Sequence, residues 1–180
     1  MKVITTDIEG LLIIEPAVFG DERGYFYESF RSDVLQKYGL KLDFVQDNQS
    51  YSHKGILRGL HFQKDPYAQG KLVRVINGAV LDVAVDIRKQ SKTYGKHVSV
   101  RLDGDNKRML YVPPGFAHGF VTLEDNTLFL YKCTNYYHKE SEGSVKWDSP
   151  ELGIDWGIDN PVLSSKDIDA PLFSEFISPF

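Results

Sequence analysis

Cysteine and long apolar segments are scarce in this chain. Of its 180 residues only Cys133 is a cysteine, so no disulfide can form within the chain, and a lone thiol is typical of proteins from a reducing compartment. No apolar run approaches the length of a membrane span, and the start at Met1 and Lys2 lacks the apolar core of a signal peptide. The sequence therefore predicts a cytoplasmic protein with no membrane partner.

A large excess of charge of one sign is also missing. The 21 Lys and Arg residues are nearly balanced by 25 Asp and Glu residues, which leaves a net charge of −4 at pH 7. Proteins that bind nucleic-acid polymers usually carry a basic excess, so we expect no such partner. A small anion held by a few local cations is compatible with this balance.

Internal repeats, low-complexity tracts and linkers are absent from the sequence as well. A length of 180 residues with 42% hydrophobic residues fits one domain with a single substantial core. We therefore interpret residues 1–180 as one domain, with a barrel at about 40–140. After Asp148 the apolar pattern gives way to a segment rich in Pro, Asp and Ser, and we expect residues 148–180 to wrap the barrel.

Helical periodicity is rare too. One short helix is predicted from Ser32, which can cap it, through Tyr38, with Gly39 ending it. Elsewhere the apolar period is two rather than 3.6, and turn residues recur at short intervals, as at 103–106 and 124–126. Many short strands joined by turns predict an all-β fold. We expect an antiparallel barrel or a jelly roll, with the short helix after the N-terminal strands and an irregular C-terminal segment.

Two neighbouring strands carry specific expectations. Asn77 and Gly78 form a strong hairpin signal, which predicts that the strands at 71–76 and 79–88 pair directly. In the second of these strands, positions 81, 83, 85 and 87 form an apolar face, while Asp82, Ala84 and Asp86 form the opposite one. That acidic face fits a half-exposed strand as well as a functional one.

The stretch at 58–63, followed by Lys71, brings an arginine, a histidine and a lysine together on a short apolar run. Alternation along a strand predicts that Arg58 and His61 point to opposite faces. Histidine exchanges protons near neutral pH, so His61 is a candidate for acid–base chemistry if it projects into a barrel or cleft. An isolated histidine on a strand is, however, more often a core residue with satisfied hydrogen bonds.

A second motif, Pro113-x-Gly115-x-x-His118, has the form of the second motif of the cupin superfamily, in which a turn delivers a histidine to the barrel mouth. Many cupins bind a metal through several histidines and a carboxylate. The first cupin motif would lie at His61, where no His-x-His pattern occurs, and a catalytic metal needs about three protein ligands. We therefore predict no metal.

Several short segments, none specific alone, follow one another in a fixed order: FGDERG at 19–24, FVQDN at 44–48, RGLHFQ at 58–63, GKLV at 70–73, DVAVDIR at 82–88, PGFAHGF at 114–120, FLYK at 129–132 and LSSKD at 163–167. In this order they resemble the dTDP-4-dehydrorhamnose 3,5-epimerases over residues 4–173. The resemblance implies an antiparallel jelly-roll barrel of the cupin type. It also implies an isomerase that needs no cofactor and inverts C3 and C5 of dTDP-4-dehydro-6-deoxy-D-glucose, a 4-keto-6-deoxyglucose, on the way to dTDP-L-rhamnose.

The resemblance also implies catalytic roles. His61 would be the base, oriented by Asp167 as a His–Asp dyad. Lys71 would lie near O4 of the sugar and stabilise the enolate. Tyr131 would deliver a proton to the opposite face of the sugar.

The substrate-binding residues that the resemblance implies are Arg23, Glu28, Gln46, Asn48, Arg58, Lys71, His118, Tyr137, Glu142 and Lys166. Arg58 and Lys166 would contact the diphosphate or the nearby sugar. Tyr137 would stack on the base, while Gln46 and Asn48 would bond the deoxyribose or phosphate. His118, with Asp82, would support the sugar.

The family is dimeric, and the resemblance implies a homodimer in which N-terminal strands are exchanged. Arg23 and Glu28 would reach the base from the neighbouring subunit. The aromatic stripe Tyr25-Phe26-Tyr27, in a strand predicted at 25–30, fits a buried interface, although an ordinary core strand would look the same.

Alternatives of other kinds stay open at this point. Relatives with the same fold and dyad invert only C3 or only C5, or use other nucleotides. A sugar-nucleotide-binding protein without activity and a metal-dependent cupin oxygenase are further candidates. Taken singly, Lys71 fits a surface lysine, Tyr131 a core aromatic residue and Asp167 a helix or turn cap.

Overall fold

The structure is a computed structural model that describes residues 1–40 and 42–180. Short extended segments dominate these ranges, in agreement with the apolar period of two. The strands are β1 (Lys2–Thr5), β2 (Leu12–Glu15), β3 (Val18–Asp21), β4 (Gly24–Tyr27), β5 (Gln46–Ser52), β6 (Leu57–Gln63), β7 (Lys71–Asn77), β8 (Ala79–Asp86), β9 (His97–Asp103), β10 (Met109–Val112), β11 (Phe116–Thr122), β12 (Thr127–Cys133) and β13 (Glu142–Ser144). The α-helices are α1 (Ser32–Gln36) and α2 (Ser165–Ile168), and short 3-10 helices occur at Lys139–Ser141 and Phe173–Glu175.

The strands form two antiparallel sheets and a separate hairpin. The first sheet has the order β1-β2-β10-β7-β12-β5, and the second has the order β13-β6-β11-β8-β9. Strands close in sequence often lie in different sheets, as in a jelly roll. The prediction of an antiparallel jelly-roll fold of the cupin type is therefore confirmed.

The space between the two sheets holds the main core. Alternation places Lys71 on the same face of β7 as Val73, and Asp82 on the same face of β8 as Ala84. Val73 and Ala84 belong to one buried cluster. Charged side chains of both sheets thus point into the same interior. Because Asp82 and Asp86 are both 0% exposed, the half-exposed interpretation of the acidic face of β8 is wrong.

The predicted hairpin at Asn77 and Gly78 is wrong. β7 pairs with β10 and β12 in the first sheet, whereas β8 pairs with β9 and β11 in the second. Gly78 has a φ of 78°, and a side chain there would approach Thr127 Oγ1 to 2.3 Å. The tight turn that this glycine permits carries the chain from one sheet to the other instead of folding it back.

The helices differ in detail from the prediction. The short helix after the N-terminal strands is present, but its N-cap is Arg31, without a side-chain cap bond, and not Ser32. The helix ends at Gln36, and Gly39 follows with a φ of 80°. Sequence reasoning missed α2, where Ser164 is the N-cap and accepts a hydrogen bond from the backbone N–H of Asp167. A helix this short has no recognisable apolar period.

The β3–β4 hairpin pairs with no other strand in the described part of the chain. Phe26 is 68% exposed and Tyr25 59%, so the core-strand interpretation of this aromatic stripe is wrong for the single chain. β1 pairs with β2, and β2 pairs with β10 of the same chain. Exchange of N-terminal strands between subunits stays a prediction.

The segment after Asp148 lies on the outer face of the second sheet. Trp156, Phe173 and Phe180 pack there against a second apolar cluster that contains Leu60 and Val85. None of the helices in residues 1–40 and 42–180 is long and apolar enough to cross a membrane.

Candidate active site

A cleft of about 540 Å³ opens between the two sheets, within the size range of small-molecule sites. It is lined by Gln49, Ser50, Ile56, Leu57, Arg58, His61, Lys71, His118, Phe120, Phe129, Tyr131, Val162, Leu163, Ser164 and Asp167. All four predicted catalytic residues are in this set. They come from both sheets and from the C-terminal segment, so the cleft is built by the fold as a whole.

Arg58 and His61 both line the cleft, which contradicts the strict alternation predicted for β6. The register between β6 and β11 shifts here, because His118 pairs with His61 while Phe120 pairs with Arg58. Such a bulge turns residues three apart to the same face. Gly59 makes the bulge possible, since a Cβ there would lie 2.5 Å from Cα of Gly119.

His61 and Asp167 form a hydrogen-bonded pair. His61 Nε2 lies 2.5 Å from Asp167 Oδ1, and the hydroxyl of Ser164 donates to Asp167 Oδ2 over 2.7 Å. Burial alone would raise the pKa of Asp167, but the hydrogen bonds from His61 and Ser164 outweigh it and hold that pKa below its usual value. The carboxylate therefore stays ionised and keeps a proton on Nε2, which leaves Nδ1 as the basic nitrogen.

The segment that carries Asp167 is fixed to β6 by backbone hydrogen bonds. Leu57 N–H donates to the carbonyl of Val162 over 3.0 Å, and Val162 N–H donates to the carbonyl of Gly55 over 2.8 Å. These bonds place α2 beside β6, although His61 and Asp167 are 106 positions apart in the sequence.

Tyr131 and Lys71 lie on the opposite wall, in the first sheet. Tyr131 is the register partner of Val73 on β7, so its ring shares the interior with Lys71. Burial raises the pKa of Tyr131, which keeps the phenol protonated at neutral pH. Burial lowers the pKa of Lys71, while nearby Cys133 and Asp82 act against this. An acid and a cation thus face the His61 dyad across the cleft.

A second histidine–carboxylate pair lies beside the first. His118 Nε2 is 2.8 Å from Asp82 Oδ1, and the two residues are 7% and 0% exposed. His118 is the register partner of His61 across β6 and β11. His118 lines the cleft, as predicted, whereas Asp82 lies buried behind it and is not a lining residue.

Several predicted binding residues form a connected group that adjoins the cleft. Gln46 Oε1 accepts from Tyr137 N–H over 2.9 Å, and Gln46 donates to Asn48 Oδ1 over 3.1 Å. Tyr137 donates its hydroxyl proton to Glu142 Oε2 over 3.2 Å, and Glu142 also pairs with Lys166. The group is near the cleft because Asn48 is the register partner of Tyr131.

Arg23 and Glu28 are not brought to the cleft by the single chain. Arg23 lies at the exposed turn of the β3–β4 hairpin and pairs with Asp21, and Glu28 pairs with Arg31. Their predicted contact with the nucleotide therefore depends on a second subunit.

Sequence reasoning missed two polar groups of the site. Ser164 both caps α2 and bonds Asp167, and the spacing Ser-x-x-Asp at 164–167 is a capping signal that indicates this role. Ser50 lines the cleft and has a buried hydroxyl with no hydrogen-bond partner in the described structure. Its only signal was its position on the same face of β5 as Gln46 and Asn48.

No group of three or more His, Cys, Asp or Glu side chains is arranged to hold a metal ion within residues 1–40 and 42–180. The two histidines of the cleft each bond a different carboxylate. The Nε2 atoms of both rings are thereby engaged with protein.

Replacement of Ser164 by alanine tests how the dyad is held. Ser164→Ala removes one hydrogen bond from Asp167 and the cap of α2, which is worth about 1 kcal/mol. We expect turnover to fall roughly tenfold, because a base held less well abstracts protons less often. Ser165→Ala, at the exposed neighbouring position, is the control and should retain full turnover. Equal rates for the two variants would show that Asp167 needs no support from Ser164.

A base on one wall and a protonated phenol on the other can remove a proton from one face of a carbon and return it on the opposite face. Together with the jelly-roll fold, this defines the class of the protein as an epimerase with a cupin-type barrel. The profile of the dTDP-4-dehydrorhamnose 3,5-epimerase family matches residues 5–175. The chain belongs to the dTDP-4-dehydrorhamnose 3,5-epimerase family.

Individual relatives agree with this assignment. The dTDP-4-dehydrorhamnose 3,5-epimerase of Shigella flexneri is 55% identical over 174 residues, which is 96% of each chain. The crystal structure of a dTDP-6-deoxy-D-glucose-3,5-epimerase from Legionella pneumophila, in complex with dTDP-4-keto-L-rhamnose, is 51% identical with a TM-score of 0.93, covering 98% of this chain and 94% of that one. A 3'-monoepimerase from Streptomyces bikiniensis, in complex with dTDP-quinovose, is 36% identical with a TM-score of 0.89, covering 94% and 86%.

Proposed function

We propose that this protein inverts C3 and C5 of dTDP-4-dehydro-6-deoxy-D-glucose and so forms dTDP-4-dehydro-β-L-rhamnose for dTDP-L-rhamnose biosynthesis. The observation that carries the proposal is the placement of the His61 dyad and Tyr131 on opposite walls of one cleft. The family assignment supplies the substrate. The complex of the Legionella pneumophila relative with dTDP-4-keto-L-rhamnose supports the same choice.

The reaction begins with loss of a proton next to the C4 ketone. Nδ1 of His61 takes the proton from C3 or C5, and the electron pair of the C–H bond moves to form an enolate with its charge on O4. Asp167 stabilises the imidazolium that results, because its carboxylate remains ionised. The ammonium of Lys71 stabilises the negative charge on O4, because a charge held in a partly buried cleft stabilises an enolate more strongly than the same charge in bulk water.

The reaction ends with protonation from the other wall. Tyr131 gives its phenolic proton to the face opposite His61, the enolate electrons return to the carbon, and the ketone is restored. The configuration of the carbon is inverted because the proton leaves towards one wall of the cleft and is replaced from the other. The imidazolium and the phenolate then exchange protons with solvent before the next centre reacts.

The nucleotide is held by the group beside the cleft. Arg58 lines the cleft and is placed to meet a phosphate, and Tyr137 offers a half-exposed ring for the base. Lys166 pairs with Glu142 beside the cleft, and its ammonium group is a second candidate to contact the diphosphate. We also place the reaction in the cytoplasm, where the buried free thiol of Cys133 stays reduced.

Incubation with dTDP-4-dehydro-6-deoxy-D-glucose in deuterated water tests the proposal. We expect NMR to show deuterium at both C3 and C5 and a product with the L-rhamno configuration. Activity should persist after treatment with a chelator, because the proposed steps use only side chains of the protein. Folded protein that incorporates no deuterium at either carbon would contradict the proposal.

Inversion of a single centre is the second candidate function. The similarity to the 3'-monoepimerase of Streptomyces bikiniensis, which has the same fold with a TM-score of 0.89, favours this candidate. The same NMR experiment separates the two functions. A monoepimerase gives deuterium and inversion at one carbon only, whereas the proposed enzyme gives both.

The proposal includes a homodimer formed through the β3–β4 hairpin. Phe26→Asp should give a monomer by light scattering, because the exposed ring is the kind of apolar surface that a subunit interface covers. KM should rise roughly tenfold if Arg23 and Glu28 of the partner complete the site, since a lost charge-assisted contact costs about that factor.

Ile177→Asp is the matched control for this variant, because Ile177 is 82% exposed on the C-terminal segment rather than on the hairpin. It should remain dimeric. A dimer of unchanged activity with Phe26→Asp would rule out this interface.

A further inference from the structure

The pair formed by His118 and Asp82 is not used by the proposed proton transfers, yet it is the more deeply buried of the two histidine–carboxylate pairs. The His61 side chain is 28% exposed, whereas that of His118 is 7% and that of Asp82 is 0%. Burial of a carboxylate costs several kcal/mol unless partners compensate it. The buried carboxylate of Asp82, next to the cleft, must therefore be stabilised by partners that offset this cost.

The two oxygens of Asp82 differ in their surroundings. Oδ1 accepts a hydrogen bond from Nε2 of His118 at 2.8 Å. Oδ2 is buried and has no hydrogen-bond partner within the described residues. One hydrogen bond compensates only part of the cost of burying a carboxylate, and a nearby positive charge is the partner that would compensate the rest.

Lys71 is the cation that faces Asp82 across the interior. The two side chains project from β7 and β8 into the same space between the sheets, next to Val73 and Ala84 of the shared core. Lys71 Nζ makes no hydrogen bond or salt bridge to the described residues that would already neutralise it. The groups whose charge acts on the pKa of Lys71 are Asp82 on β8, Cys133 on β12, Glu142 on β13 and Lys166 on α2. The other titratable and charged groups that line the cleft with Lys71 are Arg58 and His61 on β6, His118 on β11, Tyr131 on β12 and Asp167 on α2.

We propose that Asp82 is a positioning residue for the epimerisation, which orients His118 through Oδ1 and keeps Lys71 in its ammonium form through the charge on Oδ2. The catalytic part of this inference rests on the proposed function. Because Asp82 holds the proton of His118 on Nε2, Nδ1 is the ring nitrogen left to meet a hydroxyl of the sugar. Lys71 in turn can stabilise the enolate only while it carries its charge.

The electrostatics of Lys71 agree with this role. Burial lowers the pKa of Lys71, and Cys133, Asp82 and Glu142 oppose that effect, while Lys166 adds to it. Among the opposing groups Asp82 is a fully buried carboxylate, whereas burial raises the pKa of the Cys133 thiol and keeps it neutral near pH 7. Loss of the Asp82 charge should therefore release the proton of Lys71 at lower pH.

Competitive acetylation of lysines, followed by mass spectrometry across a pH series, tests the charge of Lys71 without any substrate. Only the neutral amine reacts, so the labelling rate reports its titration. Asp82→Asn preserves the size of the side chain and removes the charge. We expect Lys71 in this variant to label roughly tenfold faster at a given pH below its pKa, which corresponds to a shift of about one pKa unit.

Asp86→Asn is the matched control, because Asp86 is equally buried on the same strand but is bonded to Arg88 and Thr93, outside the cleft. It should leave the labelling of Lys71 unchanged. Equal labelling of Lys71 in the two variants overturns the proposal, since neutralising any buried carboxylate of β8 would then have the same effect.

Nitrogen-15 NMR of the unaltered protein keeps the proposal testable if Asp82→Asn does not fold. The ring signals of His118, assigned by their loss in His118→Gln, should show a proton on Nε2. A neutral ring with its proton on Nδ1 overturns the orienting role of Asp82.

The activity arm separates this inference from the proposed function. In Asp82→Asn the alkaline limb of kcat/KM should move to lower pH by the same amount as the labelling curve of Lys71. If the labelling curve of Lys71 shifts but the alkaline limb of kcat/KM does not, then the charge of Lys71 does not limit catalysis and the proposed role of Asp82 in the reaction is wrong. If the unaltered protein catalyses no exchange while labelling still shifts, the proposed function fails and the link between Asp82 and Lys71 holds.

Discussion

His61→Asn should abolish deuterium incorporation at C3 and at C5 together. A positioned base contributes roughly 10²–10⁴-fold to a rate, and here both carbons depend on the same imidazole. The amide nitrogen of asparagine lies near the position of Nδ1 rather than Nε2, so the hydrogen bond to Asp167 is lost, but the backbone hydrogen bonds of Leu57 and Val162 still hold the C-terminal segment. The loss should therefore appear in the exchange rate and not in the melting temperature. The measurement is an NMR time course in deuterated water.

His53→Asn is the control for the base, because His53 lies at an exposed turn away from the cleft. It should exchange both protons at the normal rate. Exchange that persists at one carbon in His61→Asn would reveal a second base, and the His118 pair is the first place to look for it.

Tyr131→Phe should separate proton exchange from inversion. Deprotonation by His61 survives this change, and the proton can return from the face it left. The variant should thus incorporate deuterium at one or both carbons while the yield of inverted product falls by roughly 10²-fold or more, the contribution expected of a positioned acid. Because burial raises the pKa of Tyr131, the normal enzyme keeps this acid protonated throughout the neutral range.

Tyr111→Phe is a matched control, since Tyr111 is a buried tyrosine of the same sheet outside the cleft, and burial raises its pKa to about 12. It should invert both centres normally. If Tyr131→Phe blocks exchange as completely as His61→Asn, the role of the far-wall acid is wrong, and Tyr131 is needed for deprotonation itself.

Alternating hydrophobicity was enough to predict the fold class. On β8 the apolar face and the acidic face lie where the pattern places them, because no bulge interrupts its pairing with β9 and β11. On β6 the same reasoning failed between Arg58 and His61, since the bulge depends on the contact of Gly59 with Gly119 on another strand. Local pattern carries no information about that contact.

Connections between strands were harder to predict than the strands. Asn77 and Gly78 are residues typical of a tight turn, and the chain does bend sharply at Gly78. The strands that pair with β7, however, depend on how the two sheets pack together, which the local sequence does not show. The exposed β3–β4 hairpin is a similar case. Its aromatic residues predicted a buried strand, but Phe26 is exposed in the single chain, and its burial would require a second subunit.

The site was accessible to sequence reasoning to the extent that the family resemblance named its residues. The structure brings His61, Tyr131, Asp167 and Lys71 to one cleft, and their catalytic roles stay predictions until the variants are measured. The direct partnership of Asp82 with His118 could not be read from the sequence, because the residues lie 36 positions apart on paired strands. Only the register of β8 against β11 makes them neighbours.

The distance of 106 positions between His61 and Asp167 also bears on how the protein is made. On the ribosome, both sheets of the barrel are synthesised well before α2, so the imidazole exists for much of translation without its carboxylate. The dyad is completed only when the segment carrying Trp156 and Val162 has docked on the outside of β6 and the second sheet. A nascent or proteolytically shortened chain that ends before Asp167 therefore lacks the carboxylate that bonds His61, and we expect such a chain to be inactive.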